Sequence, residues 1–168
     1  MGSTVRVESL RTAAGRRQFT LAAKQRLPLP PAELFPFFAD AHNLEQITPP
    51  WLHFRVLTPA PIAIGEGTLI RYRLRLHGVP LSWLTRITAW DPPQGFVDEQ
   101  LRGPYRLWRH RHTFEHDGDG TVARDRVDYA LRGGDLLQDI AQSLLVRRDL
   151  ERIFTYRGER LAELYPAA

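Results

Sequence analysis

The chain has 168 residues, of which 43% are apolar and 25% are charged, a balance typical of a folded globular protein. Its lack of cysteine excludes disulfide bonds, thiolate nucleophiles and cysteine-ligated zinc. No apolar run reaches the roughly 18–20 residues that a membrane-spanning helix needs, and the first residues lack the apolar stretch of a signal peptide. We therefore expect a soluble, cytoplasmic protein without a membrane span.

The charge raises the question of a nucleic-acid partner, because the formal net charge is +4 at pH 7 and the sequence pI is about 9.9. The basic residues are almost all arginine, with Lys24 as the only lysine. They are spread along the whole chain, whereas a surface that binds phosphates concentrates them on one element. We expect no nucleic-acid partner, and the sequence indicates no particular oligomeric state.

The first part of the chain predicts a lead-in, one strand and two short helices. Residues 1–16 are polar and aperiodic, which predicts a flexible segment before a single domain over residues 17–168. The next pattern predicts a strand from Phe19 to Leu29, followed by short helices at 32–39 and 43–47.

The middle of the chain alternates with a period of two, which predicts a series of short strands joined by tight turns. The predicted strands are 52–58, 67–77, 81–90, 95–102, 105–115 and 121–131. Because no helix-length segment separates them, consecutive strands are expected to pair antiparallel as a meander.

A helix of about thirty residues is predicted at 135–164. Gly133-Gly134 precedes it, Asp135 can cap it, and Gln138 completes a capping box. An apolar stripe follows one face: Leu137, Ile140, Leu144, Leu150, Phe154, Leu161 and Leu164. A helix with one apolar face must pack on something broad, so the prediction is an α+β, helix-grip fold in which a curved antiparallel sheet wraps around the C-terminal helix.

Three stretches of about residues 18–165 resemble a known superfamily. They are Asn43-Leu44-Glu45-Gln46-Ile47-Thr48-Pro49-Pro50-Trp51, Phe96-Val97-Asp98-Glu99-Gln100, and Gly103-Pro104-Tyr105 with Trp108-Arg109-His110-Arg111-His112-Thr113-Phe114. In this combination the chain resembles the START-like (SRPBCC) ligand-binding proteins related to bacterial polyketide cyclases, in an uncharacterised bacterial branch. The resemblance implies an internal pocket, since relatives bind lipids, sterols, hormones or polyketides and a minority are cyclases.

The strand at 105–115 predicts the site most directly. Alternation places Trp108, His110, His112 and Phe114 on one face, and Arg109 and Arg111 on the other. The face with the aromatic residues must be covered, so both histidines are expected to point into the protein.

The next strand carries Asp125 on its apolar face, together with Val127 and Tyr129. If residues 117–120 form the connection, His112 lies opposite Asp125 and Trp108 lies opposite Tyr129; a two-residue connection places His110 opposite Asp125 instead. Either register predicts a His–Asp pair.

Two further polar groups are candidates for this site. Asp98 and Gln100 share a face with Phe96. A three-residue or bulged turn after this strand aligns Asp98 with His110 inside the protein, whereas a strict two-residue turn aligns it with Arg109 outside. Arg157 lies on the apolar stripe of the final helix, where it needs a carboxylate from Asp98 or from a ligand, unless its charged end reaches solvent at the edge of the sheet.

These residues predict a small, largely apolar or amphipathic ligand in a cavity between the sheet and the helix. The candidate ligand-binding residues are Tyr72, Trp83, Asp98, Gln100, Trp108, His110, His112, Asp125, Tyr129, Phe154 and Arg157. The same His and Asp residues also suit a purely structural hydrogen-bond network. We expect no cofactor and no metal. Two histidines two residues apart on a strand could ligate zinc together with an aspartate, but the sequence does not show a third ligand that converges with them.

We expect binding without chemistry of its own. The alternative is a cyclase- or dehydratase-like enzyme in which His110 or His112 moves a proton and Asp125 orients the ring. No serine, cysteine or lysine nucleophile is placed beside this pair, so acyl transfer and Schiff-base chemistry have little support. A regulatory or protein-interaction module is the third reading.

Overall fold

A single antiparallel sheet of eight strands dominates the computed structural model, which describes residues 3–11, 17–133 and 145–167. The strands are β1 (Thr4–Arg11), β2 (Arg17–Leu27), β3 (Arg55–Val56), β4 (Leu69–Leu76), β5 (Val79–Asp91), β6 (Gly95–Arg102), β7 (Leu107–Asp117) and β8 (Gly120–Ala130). Their order across the sheet is β1-β2-β8-β7-β6-β5-β4-β3. The predicted meander is confirmed, since β4 to β8 are sequential neighbours.

The first strand was not expected. Residues 1–16 were predicted to be a flexible lead-in, but Thr4–Arg11 pair with β2 along their whole length. Val7 is buried against the core, while the other residues of this strand are mostly polar, and none of the described strands pairs with its outer edge. An edge strand buries few side chains and tolerates charge, so its alternation is weak in the sequence. The remainder of the predicted lead-in lies outside the described residues.

Short helices connect β2 to β3. The first is α1 (Pro31–Phe38), which begins at a proline as predicted, and two 3-10 helices follow it, η1 (Ala41–Glu45) and η2 (Pro50–Leu52). The strand predicted at 52–58 is wrong for most of its length. Because η2 continues to Leu52 and His53 adopts a left-handed backbone with φ of 43°, only the two residues of β3 are extended and paired.

The C-terminal helix, α2 (Arg147–Leu164), confirms the second half of the predicted long helix. Its predicted start, with the cap at Asp135 and the stripe residues up to Leu144, lies outside the described residues. Gly158 lets α2 approach β1 and β2 closely, because a Cβ there would meet the Ser3 side chain. Among the described helices none is long and apolar enough to cross a membrane.

The buried side chains form two clusters. One joins α1 to the sheet and centres on Leu34, Phe35 and Phe114; the other joins α2 to β2 and β8 and centres on Leu21 and Tyr129. The space between the two clusters, under α2, is where the candidate site lies.

Candidate functional site

A cavity of about 190 Å³ lies between the sheet and α2. Its wall is built from η1, η2, β4 to β7 and α2, and it is mainly aliphatic and aromatic. Eight of the residues predicted from sequence line it: Tyr72, Trp83, Asp98, Trp108, His110, His112, Phe154 and Arg157.

Three other predicted residues do not line this cavity. Gln100 turns back onto the β6–β7 connection, where its amide donates to the Tyr105 carbonyl at 2.9 Å and accepts from the Tyr105 N–H at 3.3 Å. Tyr129 is fully buried, packed against Phe19 in the core behind the cavity. Asp125 lies behind the histidines and lines a small adjoining pocket.

The strand registers that place the histidines are confirmed. In the β7–β8 hairpin, His112 pairs with Asp125 and Trp108 with Tyr129, and Asp117 and Gly120 form the last pair before the turn. In the β6–β7 pair, Asp98 lies opposite His110, which is the register predicted for a three-residue or bulged turn. Both histidines are buried, whereas Arg109 and Arg111 are exposed.

The two registers bring four ionisable side chains together. Asp125 Oδ1 lies 2.9 Å from Nε2 of His110 and 2.8 Å from Nδ1 of His112. Asp98 Oδ2 lies 3.3 Å from Nε2 of His112 and 3.7 Å from Nδ1 of His110. Each ring therefore lies between two carboxylates, one on the cavity side and one behind it.

The carboxylates of this cluster are ionised at neutral pH. Burial alone would raise the pKa of Asp125, but the hydrogen bonds from His110 and His112 outweigh burial and hold the pKa well below its usual range. For Asp98, burial is likewise outweighed by the hydrogen bond with His112 and the charge of both rings, so its pKa is also lowered. The hydroxyl of Thr85 adds a hydrogen bond to Asp98 Oδ1 at 3.2 Å.

The two histidines are shifted in opposite directions. Burial and the neighbouring charge of His112 lower the pKa of His110, so this ring is neutral at pH 7. Burial also opposes the charging of His112, but hydrogen bonds to Asp125 and Asp98 outweigh it and raise the pKa of that ring. The cluster therefore contains one ring that favours the neutral form and one that favours the charged form.

Ring packing fixes the orientation of both imidazoles. The centroids of His110 and His112 are 3.8 Å apart, and His112 stacks on Phe96 with centroids 4.1 Å apart at an interplanar angle of 21°. Phe154 of α2 meets His110 edge-on at 5.6 Å. Because the rings are held by packing as well as by hydrogen bonds, their nitrogen atoms have defined directions.

Arg157 is the second polar feature of the cavity. Its side chain is 9% exposed, and the guanidinium carbon lies 4.8 Å from the centroid of the Phe154 ring. Its Nε is buried without a hydrogen-bond partner, and no ion pair joins Arg157 to a carboxylate of the described residues. The predicted burial is thus confirmed, but the proposed pairing with Asp98 is not formed.

A group of aromatic residues forms the opposite wall. Trp83 and Trp108 meet edge to face at 5.2 Å, and Tyr105 packs on both. Tyr105 was missed as a site residue, although it directly follows the Gly103-Pro104 turn that the sequence singles out. Burial, together with the charge of Asp98, raises the pKa of Tyr72, so its hydroxyl stays protonated and able to donate to a ligand.

At the side of the cavity near the β4–β5 turn, a side-chain hydrogen bond joins the β4–β5 hairpin to α2. His77 lies in the turn after β4, with φ of 50°, and its Nε2 is 2.8 Å from Asp149 Oδ2 of α2. Trp51 of η2 packs edge-on against Tyr156 of α2 and is 46% exposed. These contacts were not predicted, because they join segments that are remote in sequence.

Comparison with protein families identifies the architecture. Residues 27–153 match the model of a family described as polyketide cyclase / dehydrase and lipid transport. The chain belongs to this family. The match covers β3 to β8 with both 3-10 helices and extends into α2. No curated protein sequence matches the chain significantly.

Solved structures show the same fold at low sequence identity. Protein Ms6760 from Mycobacterium smegmatis is 16% identical with a TM-score of 0.66, and the alignment covers 98% of this chain and 99% of that one. The Zhui aromatase/cyclase from Streptomyces sp. R1128 is 16% identical with a TM-score of 0.63, covering 90% and 98% of the two chains. The ginseng major latex-like protein 151 from Panax ginseng is 10% identical with a TM-score of 0.65, covering 89% and 99%. The predicted helix-grip fold is therefore confirmed for this member of the polyketide cyclase family.

Proposed function

We propose that this protein binds a small, largely apolar molecule carrying one anionic group in the cavity between the sheet and α2. The observation that carries the proposal is the buried guanidinium of Arg157, which faces a mainly apolar cavity without a carboxylate partner among the described residues. The aromatic wall of Trp83, Tyr105 and Trp108 suits a flat or ring-containing apolar body.

The physical reason is the cost of leaving a buried charge unpaired. An ionised group taken out of water is strongly destabilising unless an opposite charge and hydrogen bonds compensate. A ligand carboxylate or phenolate beside Arg157 supplies both, and the planar guanidinium can bind it with two parallel hydrogen bonds. Arg157 then selects the anionic end, and the aromatic wall selects the apolar body.

The family supports an apolar ligand without naming one. Its description includes lipid transport as well as cyclase and dehydrase activity, and one structural neighbour is an aromatase/cyclase. These roles share a concave site for a hydrophobic molecule, which agrees with the lining of this cavity.

The test compares 2-naphthoate with its methyl ester, measured by isothermal titration calorimetry and by tryptophan fluorescence. We expect the carboxylate to bind at least about tenfold more tightly than the ester, since a charge-assisted pair in a buried site contributes about 1.5–3 kcal/mol. Arg157→Leu is expected to remove this preference.

The matched control is Arg148→Leu, which removes an exposed arginine of the same helix. This variant should keep the preference for the carboxylate. Equal affinity of the two probes for the parent protein, or an unchanged preference in Arg157→Leu, would contradict the proposed role of the arginine.

A second candidate function is favoured by the His–Asp cluster, which lines the same cavity. A neutral His110 has the protonation state of a general base, and its ring is oriented by Asp125. In a dehydratase reaction this ring would take the proton from the carbon next to a carbonyl and deliver it to the hydroxyl on the following carbon, which leaves as water as the C=C bond forms. The formation of a conjugated enone from a β-hydroxy ketone such as 4-hydroxy-4-phenyl-2-butanone would show this by its absorbance. Turnover that His110→Gln abolishes would support it, and no turnover above buffer would contradict it for this substrate.

A further inference from the structure

Three possible metal-binding atoms converge at one side of the cavity. They are a carboxylate oxygen of Asp98 and one ring nitrogen each of His110 and His112, all within 4.8 Å of one another. The sequence predicted no metal site because a third ligand was not evident. The β6–β7 register supplies that ligand, since it sets Asp98 directly opposite His110.

Asp125 determines which nitrogen atoms are available. Its Oδ1 lies within hydrogen-bond distance of Nε2 of His110 and Nδ1 of His112, and a carboxylate oxygen can only accept. Both of these nitrogens therefore carry a hydrogen. Of the other two ring nitrogens, Nδ1 of His110 lies 3.7 Å from Asp98, and Nε2 of His112 hydrogen-bonds to Asp98 at 3.3 Å, so Nε2 would give up its hydrogen when a metal ion binds. These are the two atoms that face Asp98.

These three atoms converge in a buried place, where a metal ion would take the position of the hydrogen between His112 and Asp98. We propose that Asp98, His110 and His112 bind a divalent first-row transition metal ion, with Zn²⁺ the ion of first choice. Two imidazoles and one carboxylate are a donor set that zinc and iron accept, and a histidine ligand held from behind by a carboxylate is a recurring feature of such sites.

The distances agree with a metal of this size. Bonds of about 2.0–2.2 Å around a tetrahedral ion set neighbouring donors about 3.3–3.6 Å apart. The two carboxylate-to-nitrogen distances are 3.3 Å to His112 and 3.7 Å to His110. The site can therefore take the ion with small side-chain adjustments.

Charge balance also favours a dication. The cluster contains two carboxylates, Asp98 and Asp125, which lie on opposite sides of the two rings. A divalent ion with two neutral imidazoles makes the cluster neutral, whereas one extra proton leaves it with a net negative charge in a buried place. Asp98, His110 and His112 all line the cavity, so the open coordination position faces the space where a ligand would lie.

This inference does not depend on the proposed ligand, and the experiment separates the two. Protein dialysed against a chelator is titrated with Zn²⁺ by calorimetry and with Co²⁺ by visible absorption. We expect one ion per chain, and the d–d bands of a low-coordinate Co²⁺ that are lost on adding Zn²⁺. Long-range ¹H–¹⁵N NMR should place the metal on Nδ1 of His110 and Nε2 of His112, while the other two nitrogens keep their hydrogens.

Variants distinguish the ligands from their support. Asp98→Asn and His112→Gln are expected to weaken Zn²⁺ binding by more than 100-fold, and Asp125→Asn by about 10–100-fold. His116→Gln, which removes an exposed histidine of the same strand, should bind as the parent does. Circular dichroism shows whether each variant is folded. The NMR assignment of the metal-bound nitrogens is made on the parent protein, so it does not depend on the folding of any variant.

The proposal is overturned if the parent binds no Zn²⁺ at micromolar concentration, or if NMR in the presence of bound Zn²⁺ still shows both nitrogens of the His112 ring protonated. It is also overturned if binding survives in both Asp98→Asn and His112→Gln, because the ion then sits elsewhere. None of these results affects the binding of 2-naphthoate through Arg157, which is measured on the same metal-free protein.

Discussion

The carboxylate of Asp125 lies 2.8 Å from Nδ1 of His112, directly across the β7–β8 hairpin. The pair exists because the turn at Gly118 and Asp119 sets the register, so that every second residue of β7 and β8 faces the same side of the sheet. His110 is held by the same carboxylate at 2.9 Å, so one acidic residue orients both rings.

Asp125→Asn in metal-free protein is expected to lower the pKa of His112. The carboxylate accepts a hydrogen bond from the ring and carries a negative charge, and both effects favour the protonated imidazole. Asparagine keeps the volume and removes the charge. NMR titration of the ring carbons in both proteins measures the shift, which is downward because burial then acts with less opposition.

Asp128→Asn on the same strand is the control, since this residue belongs to the outer face and pairs there with Arg126. It should leave the titration of His112 unchanged. If the parent and Asp125→Asn titrate alike, the His–Asp unit does not form in solution, and the acid–base function would lose the group that orients its ring.

Much of the site could be predicted from the sequence because strand periodicity is local. The alternation of Trp108, His110 and His112 fixes which side chains face inward, and hairpin counting then places either His112 or His110 opposite Asp125; the structure has His112 there. Asp98 needed one more piece of information, the length of the connection between β6 and β7, which the sequence left open between two registers.

The parts that sequence could not predict are contacts between distant segments or weakly patterned edges. Strand β1 buries only a few side chains, so its composition resembles a loop. The pair between His77 and Asp149 joins a hairpin to a helix 72 residues away. Gln100 shares a face with Asp98 in an ideal strand, but it lies where β6 approaches the turn, and its amide instead satisfies the backbone of Tyr105.

Gln100→Ala is expected to reduce the free energy of unfolding by about 1 kcal/mol, because it leaves the N–H and carbonyl of Tyr105 without their side-chain partner. Urea unfolding followed by circular dichroism measures this loss. The affinity for 2-naphthoate should not change, since Gln100 does not line the cavity. A clear loss of affinity with unchanged stability would instead restore Gln100 as a binding residue.

His77→Asn is expected to speed both the entry and the release of 2-naphthoate while leaving its affinity nearly unchanged. Asparagine tolerates the left-handed backbone of this position, but its shorter side chain does not reach Asp149. The pair is exposed, and such pairs contribute about 0.2–1 kcal/mol, so we expect rate changes of only about two- to fivefold. Stopped-flow tryptophan fluorescence measures both rates.

The double variant of His77→Asn with Asp149→Asn is the internal control for that experiment. If the pair is what slows exchange, adding the second substitution should change the rates little further. Additive effects would show that the two residues act separately.

Arg157→Leu tests whether the arginine is present for stability or for binding. Among the described residues of the ligand-free protein, the buried guanidinium has no carboxylate partner and its Nε has no hydrogen-bond partner. Replacing such a charge by an apolar side chain removes a desolvation cost and keeps the packing on Phe154, so we expect the free energy of unfolding to be unchanged or raised by about 1–4 kcal/mol. Arg148→Leu, at an exposed position of the same helix, should stay within about 0.5 kcal/mol of the parent.

Urea unfolding of the three proteins at neutral pH, with and without 2-naphthoate, separates the two roles. The ligand should stabilise the parent and Arg148→Leu by mass action and stabilise Arg157→Leu much less. A loss of several kcal/mol in ligand-free Arg157→Leu would mean that the arginine is paired within the protein, and the anion-binding role would then have to be abandoned.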